Sequence, residues 1–202
     1  MGIRSWHGTV VRRDDMKVLV VVDMQNDFIT GSLGSEAAQK IVSNVIKKIK
    51  NVEDRTCIAF TSDTHGSNYS TTEEGKNLPV AHCIEGTDGW EIPDDILDAA
   101  HPFKGFITYI NKPTFGSVEL GRELRYYNDD DDPIESIELV GLCTDICVVS
   151  NALLIKAFLP NVPIYVDVAC CAGTSPEAHD AAIRTMESCQ IHILNKGEEP
   201  WR

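Results

Sequence analysis

Several features are missing from this chain of 202 residues, and each absence excludes a class of protein. No apolar stretch approaches the roughly 18 residues of a membrane-spanning helix, and the first residues carry no continuous apolar signal region. Basic residues are scarce. Against 31 Asp and Glu there are 18 Lys and Arg, a net charge of -13 that repels phosphate backbones and anionic lipid surfaces. Neither nucleic acid nor a membrane is therefore expected as a partner. The cysteines number seven, an odd set without a CxxC pair, and the adjacent Cys170 and Cys171 cannot easily bridge each other. A secreted disulfide framework is thus not expected, and a reducing cytoplasm is. No internal repeat is present, and no GxGxxG pattern follows the first apolar run, where the acidic stretch Asp23-Met24-Gln25-Asn26-Asp27 would repel phosphate. The four consecutive aspartates before Pro133 lack the EF-hand spacing and its Gly, and read as a solvated turn over 128–133.

What is present is ordinary globular material. Hydrophobic residues at 43% and charged residues at 24% support a sizeable core, and the length suits a single α/β domain. Residues 1–16 read as an N-terminal extension, with an edge strand around Thr9 to Val11 and Met16 as a candidate start; 17–202 form the domain.

Lys17 to Val22 is a short β-branched run, as in a parallel strand buried on both faces. Ala38, Ile41, Val42, Val45, Ile46 and Ile49 then repeat at helical spacing, with Ser35 as N-cap and Lys47, Lys48 and Lys50 in the last turn. Thr56 to Thr61, Phe106 to Ile110, Ile137 to Gly141, Pro163 to Val168 and Gln190 to Leu194 supply five further strands. Helices are expected over Ser117 to Tyr127, after Gly141 with an apolar face of Ile146, Val149, Leu153, Leu154 and Ala157, and from Ser175-Pro176. Strands alternating with helices predict right-handed crossovers, hence a three-layer α/β/α sandwich around a mostly parallel six-stranded sheet. The long polar segment Ser62 to Ile92 interrupts this pattern, and a loop of that length in a compact domain is usually functional or disordered.

Three residues stand just beyond predicted strands: Asp23, Lys112 and Cys147. Parallel strands would bring them to one carboxyl edge, where open α/β sheets bind ligands. Cys147 is the candidate nucleophile, because a helix start favours a thiolate. Asp23 could take the thiol proton and pass it to a leaving amine, and Lys112 could hold Asp23 ionised. Each has a bland reading as well: buried filler, a turn aspartate, a solvated lysine. Cys57, Cys170, Cys171 and Cys189 fall in apolar patterns and read as core or near-core. Within the long loop, Asp63 and His65 are two apart and His82 follows; with Glu74 they would suit zinc or another borderline divalent ion.

Five stretches then occur together: Val22-Asp23-Met24-Gln25-Asn26-Asp27-Phe28, Asp63-Thr64-His65, His82-Cys83-Ile84-Glu85-Gly86-Thr87, Lys112-Pro113-Thr114-Phe115-Gly116-Ser117, and Val140-Gly141-Leu142-Cys143-Thr144-Asp145-Ile146-Cys147. With these, the chain resembles the nicotinamidase branch of the isochorismatase-like cysteine hydrolases from about Val18 to Leu194. The resemblance implies that family's fold and a catalytic triad of Cys147, Asp23 and Lys112. It also implies a cis peptide between Leu142 and Cys143, with the backbone N–H groups of Cys143 and Cys147 facing the developing oxyanion. The implied reaction is thioester-mediated hydrolysis of a small amide, nicotinamide first, in NAD salvage. A divalent ion, zinc or else iron or manganese, would hold the pyridine nitrogen through Asp63, His65 and His82, with Glu74 favoured over Glu73 and Ser67 as fourth ligand. Relatives usually place an aromatic side chain before the second His. This chain reads Leu78-Pro79-Val80-Ala81-His82, so Phe28 or Tyr69 is expected to supply the substrate-facing ring. A homo-oligomer is expected by the same resemblance. The competing readings are a metal-free amide or carbamoyl hydrolase of the same superfamily and a non-catalytic flavodoxin-like binding module.

Overall fold

A computed structural model of the chain describes residues 16–129 and 133–202, with the side chain of 129 left out. The strand expected around Thr9 to Val11 and residues 130–132 of the acidic turn lie outside these residues.

Among the described residues six strands form one sheet: β1 (Met16–Val22), β2 (Thr56–Asp63), β3 (Phe106–Lys112), β4 (Ile134–Leu142), β5 (Ile164–Ala172) and β6 (His192–Leu194). Their spatial order is β3-β2-β1-β4-β5-β6, and every pairing is parallel. β1 lies at the centre and sends alternate side chains to opposite faces, which explains its unbroken apolar run. Val18, Val20 and Val22 enter one core with Leu120 and Leu124 of α5 (Val118–Asp129), Ala152 and Ile155 of α6 (Val149–Phe158), and Ile183 and Met186 of α7 (Pro176–Ser188). Leu19 and Val21 enter the other core, with Ile41, Val45 and Ile49 of α2 (Glu36–Lys50) and Ile96 of α4 (Asp94–Ala100). Helices thus cover both faces, giving the expected three-layer α/β/α sandwich.

Local signals account for several boundaries. Ser35 caps α2 by accepting the Ala38 N–H at 3.0 Å, and Ser175 caps α7 by accepting the Ala178 N–H at 3.1 Å, with Pro176 in its first turn. Two short helices, α1 (Asn26–Ile29) and α3 (Glu73–Asn77), and the 3₁₀ turn Tyr69–Thr71 lie in stretches that carry too little periodicity to announce them.

Two expectations need correction. The buried side of α6 is Val148, Ala152, Ile155 and Leu159, whereas Ala157 is exposed and Leu153 and Leu154 are half-buried. A π-helical turn, Thr144–Val148, precedes α6. Such a turn adds one residue and rotates the following face by about 100°, and a helix apolar on nearly all sides gives periodicity nothing with which to detect it. Cys189, read as core or near-core, is exposed, since it caps α7 instead of continuing its apolar face.

Candidate active site

The strand ends fix where the polar residues meet. Chain progression moves outward from β1 to β2 and β3 on one side and resumes at β4 on the other, so the β1–β4 boundary is the topological switch point. Asp23 leaves β1 with φ of 47°, a left-handed conformation that Asp adopts more readily than most L-residues. Its N–H donates to the Thr61 carbonyl at 3.1 Å, and the Thr61 hydroxyl donates to Asp23 Oδ1 at 2.6 Å. In β4, Gly141 pairs with Val22 at φ of 117°, and a Cβ there would lie 2.1 Å from the Val22 carbonyl oxygen. Only glycine lets the two central strand ends approach this closely. The Leu142–Cys143 peptide that follows is cis.

Lys112, at the end of β3 and paired in register with Asp63 of β2, turns its ammonium inward. Its Nζ lies 2.6 Å from Asp23 Oδ2, 3.5 Å from Cys147 Sγ and 3.5 Å from Asp63 Oδ1. Asp23, Lys112 and Cys147, drawn from three distant parts of the chain, are all buried within one cluster. Burial alone would pull the Lys112 ammonium down, but Asp23, Cys147 and Asp63 together outweigh it and hold its pKa up. Burial raises the Asp23 carboxyl above the ordinary aspartate range against the opposing pull of Lys112. The Cys147 thiol is also pushed well up, by burial and then by Asp23, with Lys112 pulling the other way.

This last point corrects the expectation of a thiolate favoured by a helix start. Cys147 lies inside the π turn, 4% exposed, and desolvation outweighs any helix-terminal field.

Alongside stands a second group. One donor atom each from Asp63, His65, Glu74 and His82 lies within 4.8 Å of all the others. His65 Nε2 is 2.9 Å from Asp63 Oδ2 and 3.6 Å from Glu74 Oε1, and His82 Nε2 is 3.5 Å from each of the same two oxygens. His82 Nδ1 is 2.9 Å from the Val80 carbonyl, which fixes the N–H on that side and leaves Nε2 to offer a lone pair to the cluster. His65 Nε2 is buried and, although 2.9 Å from Asp63 Oδ2, makes no hydrogen bond of acceptable geometry. Two imidazole nitrogens and two carboxylates converging on one point, one nitrogen without a well-formed hydrogen bond, are a donor set that fits a borderline divalent cation. Without such a cation the same atoms compete for protons. Burial lowers His82, yet Asp63, the Val80 carbonyl and Glu74 raise it further, while burial would raise the Asp63 carboxyl but the two histidines and Lys112 outweigh it and hold it well below the usual range.

The framework of this cluster comes from residues that the sequence did not single out for it. Gln25, fully buried, accepts the Asp63 N–H at 2.8 Å and donates its amide to the Asp63 carbonyl at 2.9 Å and the Trp90 carbonyl at 2.8 Å. Asp27 accepts the Cys83 N–H at 2.8 Å, and the Cys83 carbonyl accepts the His65 N–H at 3.0 Å. Thr72 caps α3 by accepting the Gly75 N–H at 3.0 Å, which orients Glu74. The long loop is therefore ordered, and its order serves the histidines.

A cavity of about 830 Å³ opens onto both groups, lined by Phe28, Leu33, Leu78, Phe115, Ile146 and Cys143 together with Asp63, Glu74, His82 and Cys147. Of the two expected aromatic residues, Phe28 lines it, its ring 5.5 Å from that of His82. Tyr69 does not. It is 2% exposed, packs its ring 4.8 Å from His65 and 5.0 Å from His82, and donates its hydroxyl to the Leu78 carbonyl at 2.9 Å. Tyr69 backs the histidines instead of facing a ligand. Phe115, 46% exposed in the loop after Lys112, supplies a second aromatic wall; a large apolar residue directly beyond a candidate catalytic lysine was the signal that could have found it. A cavity of about 860 Å³ elsewhere, between α2 and β1, β4 and β5, contains none of these residues. Several of its charged groups are paired, Lys48 lying 2.6 Å from Glu138 and 2.7 Å from Asp167, and Lys17 3.0 Å from Glu53.

An α/β sandwich with a thiol, a carboxylate and an ammonium gathered at the carboxyl edge of its sheet is the class this geometry defines. The chain belongs to the isochorismatase domain family, whose sequence profile matches residues 17–197. It is similar to the nicotinamidase/pyrazinamidase of Mycobacterium tuberculosis, 25% identical over 89% of this chain and 98% of that protein. Among solved structures, the nicotinamidase/pyrazinamidase PncA of Bacillus subtilis superposes with a TM-score of 0.76 at 25% identity, covering 89% of this chain and all of that one. The pyrazinamidase of Pyrococcus horikoshii, solved in complex with zinc, gives a TM-score of 0.68 at 26% identity over 88% of this chain and 98% of its own.

Proposed function

We propose that this protein is an amidohydrolase that converts nicotinamide to nicotinate and ammonia through a thioester on Cys147. The observation that carries the reading is the position of the Lys112 ammonium, within 3.5 Å of Asp23, Cys147 and Asp63 alike, which joins an acid–thiol pair to a cation-binding set in one pocket. The similarity to nicotinamidases over nearly the whole chain supports the substrate class.

In this mechanism Asp23 takes the Cys147 proton as sulfur attacks the amide carbonyl carbon, and the backbone N–H groups of Cys143 and Cys147 receive the developing oxyanion. Asp23 returns the proton to the departing NH₂, which leaves as ammonia. Water then attacks the thioester carbonyl, giving one proton to Asp23 and releasing the carboxylic acid. That proton restores the Cys147 thiol. Lys112 stabilises the ionised Asp23 and the sulfur anion in both halves of the cycle. Asp63, His65, Glu74 and His82 would hold a divalent ion, zinc first by the donor set and by the zinc-bound relative, with iron or manganese as alternatives. Such an ion supplies a Lewis-acid anchor for the pyridine nitrogen. Phe28, with Phe115, flanks the ring in place of the aromatic residue absent before His82. The free state of all seven cysteines supports a cytoplasmic setting and a place in NAD salvage follows from the product.

The test is incubation of the purified protein with nicotinamide, with metal analysis of the same sample. Equal amounts of nicotinate and ammonia, from protein holding about one ion per chain, are the expected result. Turnover of an aliphatic amide but not nicotinamide, by protein free of metal, would contradict it.

A further inference from the structure

Packed against the nucleophile turn, and not lining the cavity, lies a buried polar chain that the mechanism above does not use. His179 of α7 is fully buried. Its Nδ1 is 2.8 Å from Thr144 Oγ1 and its Nε2 is 3.4 Å from Glu199 Oε1. Glu199, 4% exposed, is held by Arg202, whose Nε is 2.8 Å from Glu199 Oε2 and whose guanidinium also pairs with Asp180. Trp201 packs its ring edge against the imidazole, centroids 4.9 Å apart, and donates its indole N–H to the Cys171 carbonyl at 2.9 Å.

The polarity of this chain follows from its charged end. Glu199 lies between Arg202 Nε and His179 Nε2, and a carboxylate can only accept, so Nε2 carries the proton that faces it; burial lowers the His179 pKa, which favours the neutral ring. Nδ1 is left as an acceptor, and the Thr144 hydroxyl must donate to it. Thr144 follows Cys143 directly and opens the π turn that contains Cys147. The next residue, Asp145, is tied to the same connection, accepting the Thr174 N–H at 2.8 Å and the Thr174 hydroxyl. Gly173 leaves no room for slack, since a Cβ there would lie 2.8 Å from Asp145 Oδ1 and 2.9 Å from His179 Cβ.

We propose that His179, oriented by Glu199, is a positioning residue for catalysis, setting the Cys143–Cys147 turn through the Thr144 hydroxyl. The segment Glu199–Arg202 is by this account part of the catalytic support and does more than close the fold. The inference rests on Cys147 being the nucleophile, and its test must separate the two.

Thr144→Val removes one hydroxyl at nearly constant volume, Thr144→Ser keeps it, and His179→Ala removes its acceptor. Each is compared with wild type, well below its own melting temperature, in three ways: the rate at which iodoacetamide labels Cys147, located by peptide mapping; kcat and KM for nicotinamide; and bound metal. Thr144→Val and His179→Ala are expected to slow labelling and lower kcat, each by about tenfold, with KM and metal content within about twofold of wild type. Thr144→Ser should recover most of both losses. Labelling unchanged or faster in Thr144→Val, or Thr144→Ser behaving as Thr144→Val does, would overturn the proposal. A purely structural role would lower the melting temperature and leave the rates of the folded fraction alone. If wild type does not hydrolyse nicotinamide, the substrate reading fails while the labelling comparison still decides this one.

Discussion

At the residue scale the chemistry turns on how one ammonium is shared. Lys112 is enclosed by two carboxylates and a thiol, and removing it would strand Asp23 and Asp63 as buried charges. Breaking a buried pair in this way costs about 3–5 kcal/mol, so Lys112→Met should lower unfolding free energy by that order, read by denaturant titration, as well as activity. The raised pKa of Asp23 has its own consequence. A base must be ionised to accept the thiol proton, and burial makes Asp23 take up a proton at higher pH than an ordinary aspartate. The acid limb of kcat/KM should therefore lie above the usual aspartate value, falling tenfold per pH unit below it. A limb at or below that value would exclude Asp23 as the base.

Asp23, Lys112 and Cys147 were readable as a set because each stands just past an apolar strand, and parallel pairing does the rest. The ionisation of Cys147 was not, since it depends on burial that no local pattern records. Nor were the roles of Gln25 and Thr61, whose partners lie 38 residues away in the chain. Tyr69 was misplaced for the same reason: an aromatic residue near two histidines can face a ligand or back them, and only packing decides which.

At the element scale, the long segment between β2 and α4 is the part that composition could mark as functional but not draw. Its order comes from side chains reaching into it from β1's end. Gln25→Leu would remove the bonds that fix Asp63 while leaving all four candidate ligands in place. Metal affinity, measured by competition with a chromophoric chelator, should weaken by about 10–100-fold, the usual effect of losing outer support for a ligand. Unchanged affinity would mean that the loop orders itself. The opposite strand end is limited by sterics. Gly141→Ala would drive a Cβ into the Val22 carbonyl, so a loss on the order of 3 kcal/mol or more is expected in thermal or denaturant unfolding. The α6 face was misread because the π turn leaves no trace in an apolar sequence, and that same turn carries Cys147.

At the scale of the whole molecule, alternation of strands and helices made the sandwich legible from sequence, including six strands and parallel pairing. The order β3-β2-β1-β4-β5-β6 is what converts that architecture into a site, because it puts the ends of β1, β3 and β4 around one crevice. Stability should respond to occupation of the crevice as a whole. A cation bound only by the folded chain adds about 4 kcal/mol at a thousandfold excess over its dissociation constant, so zinc should raise the melting temperature by several degrees, and His82→Ala should abolish the rise.

The central claim is that sulfur from Cys147 does the chemistry. Ammonia release from nicotinamide, followed side by side for wild type and Cys147→Ala with equal folded fraction and metal content, tests it most directly. Steady release by wild type and a loss of roughly 10³-fold or more in the variant are expected. Equal rates in the two proteins would contradict it.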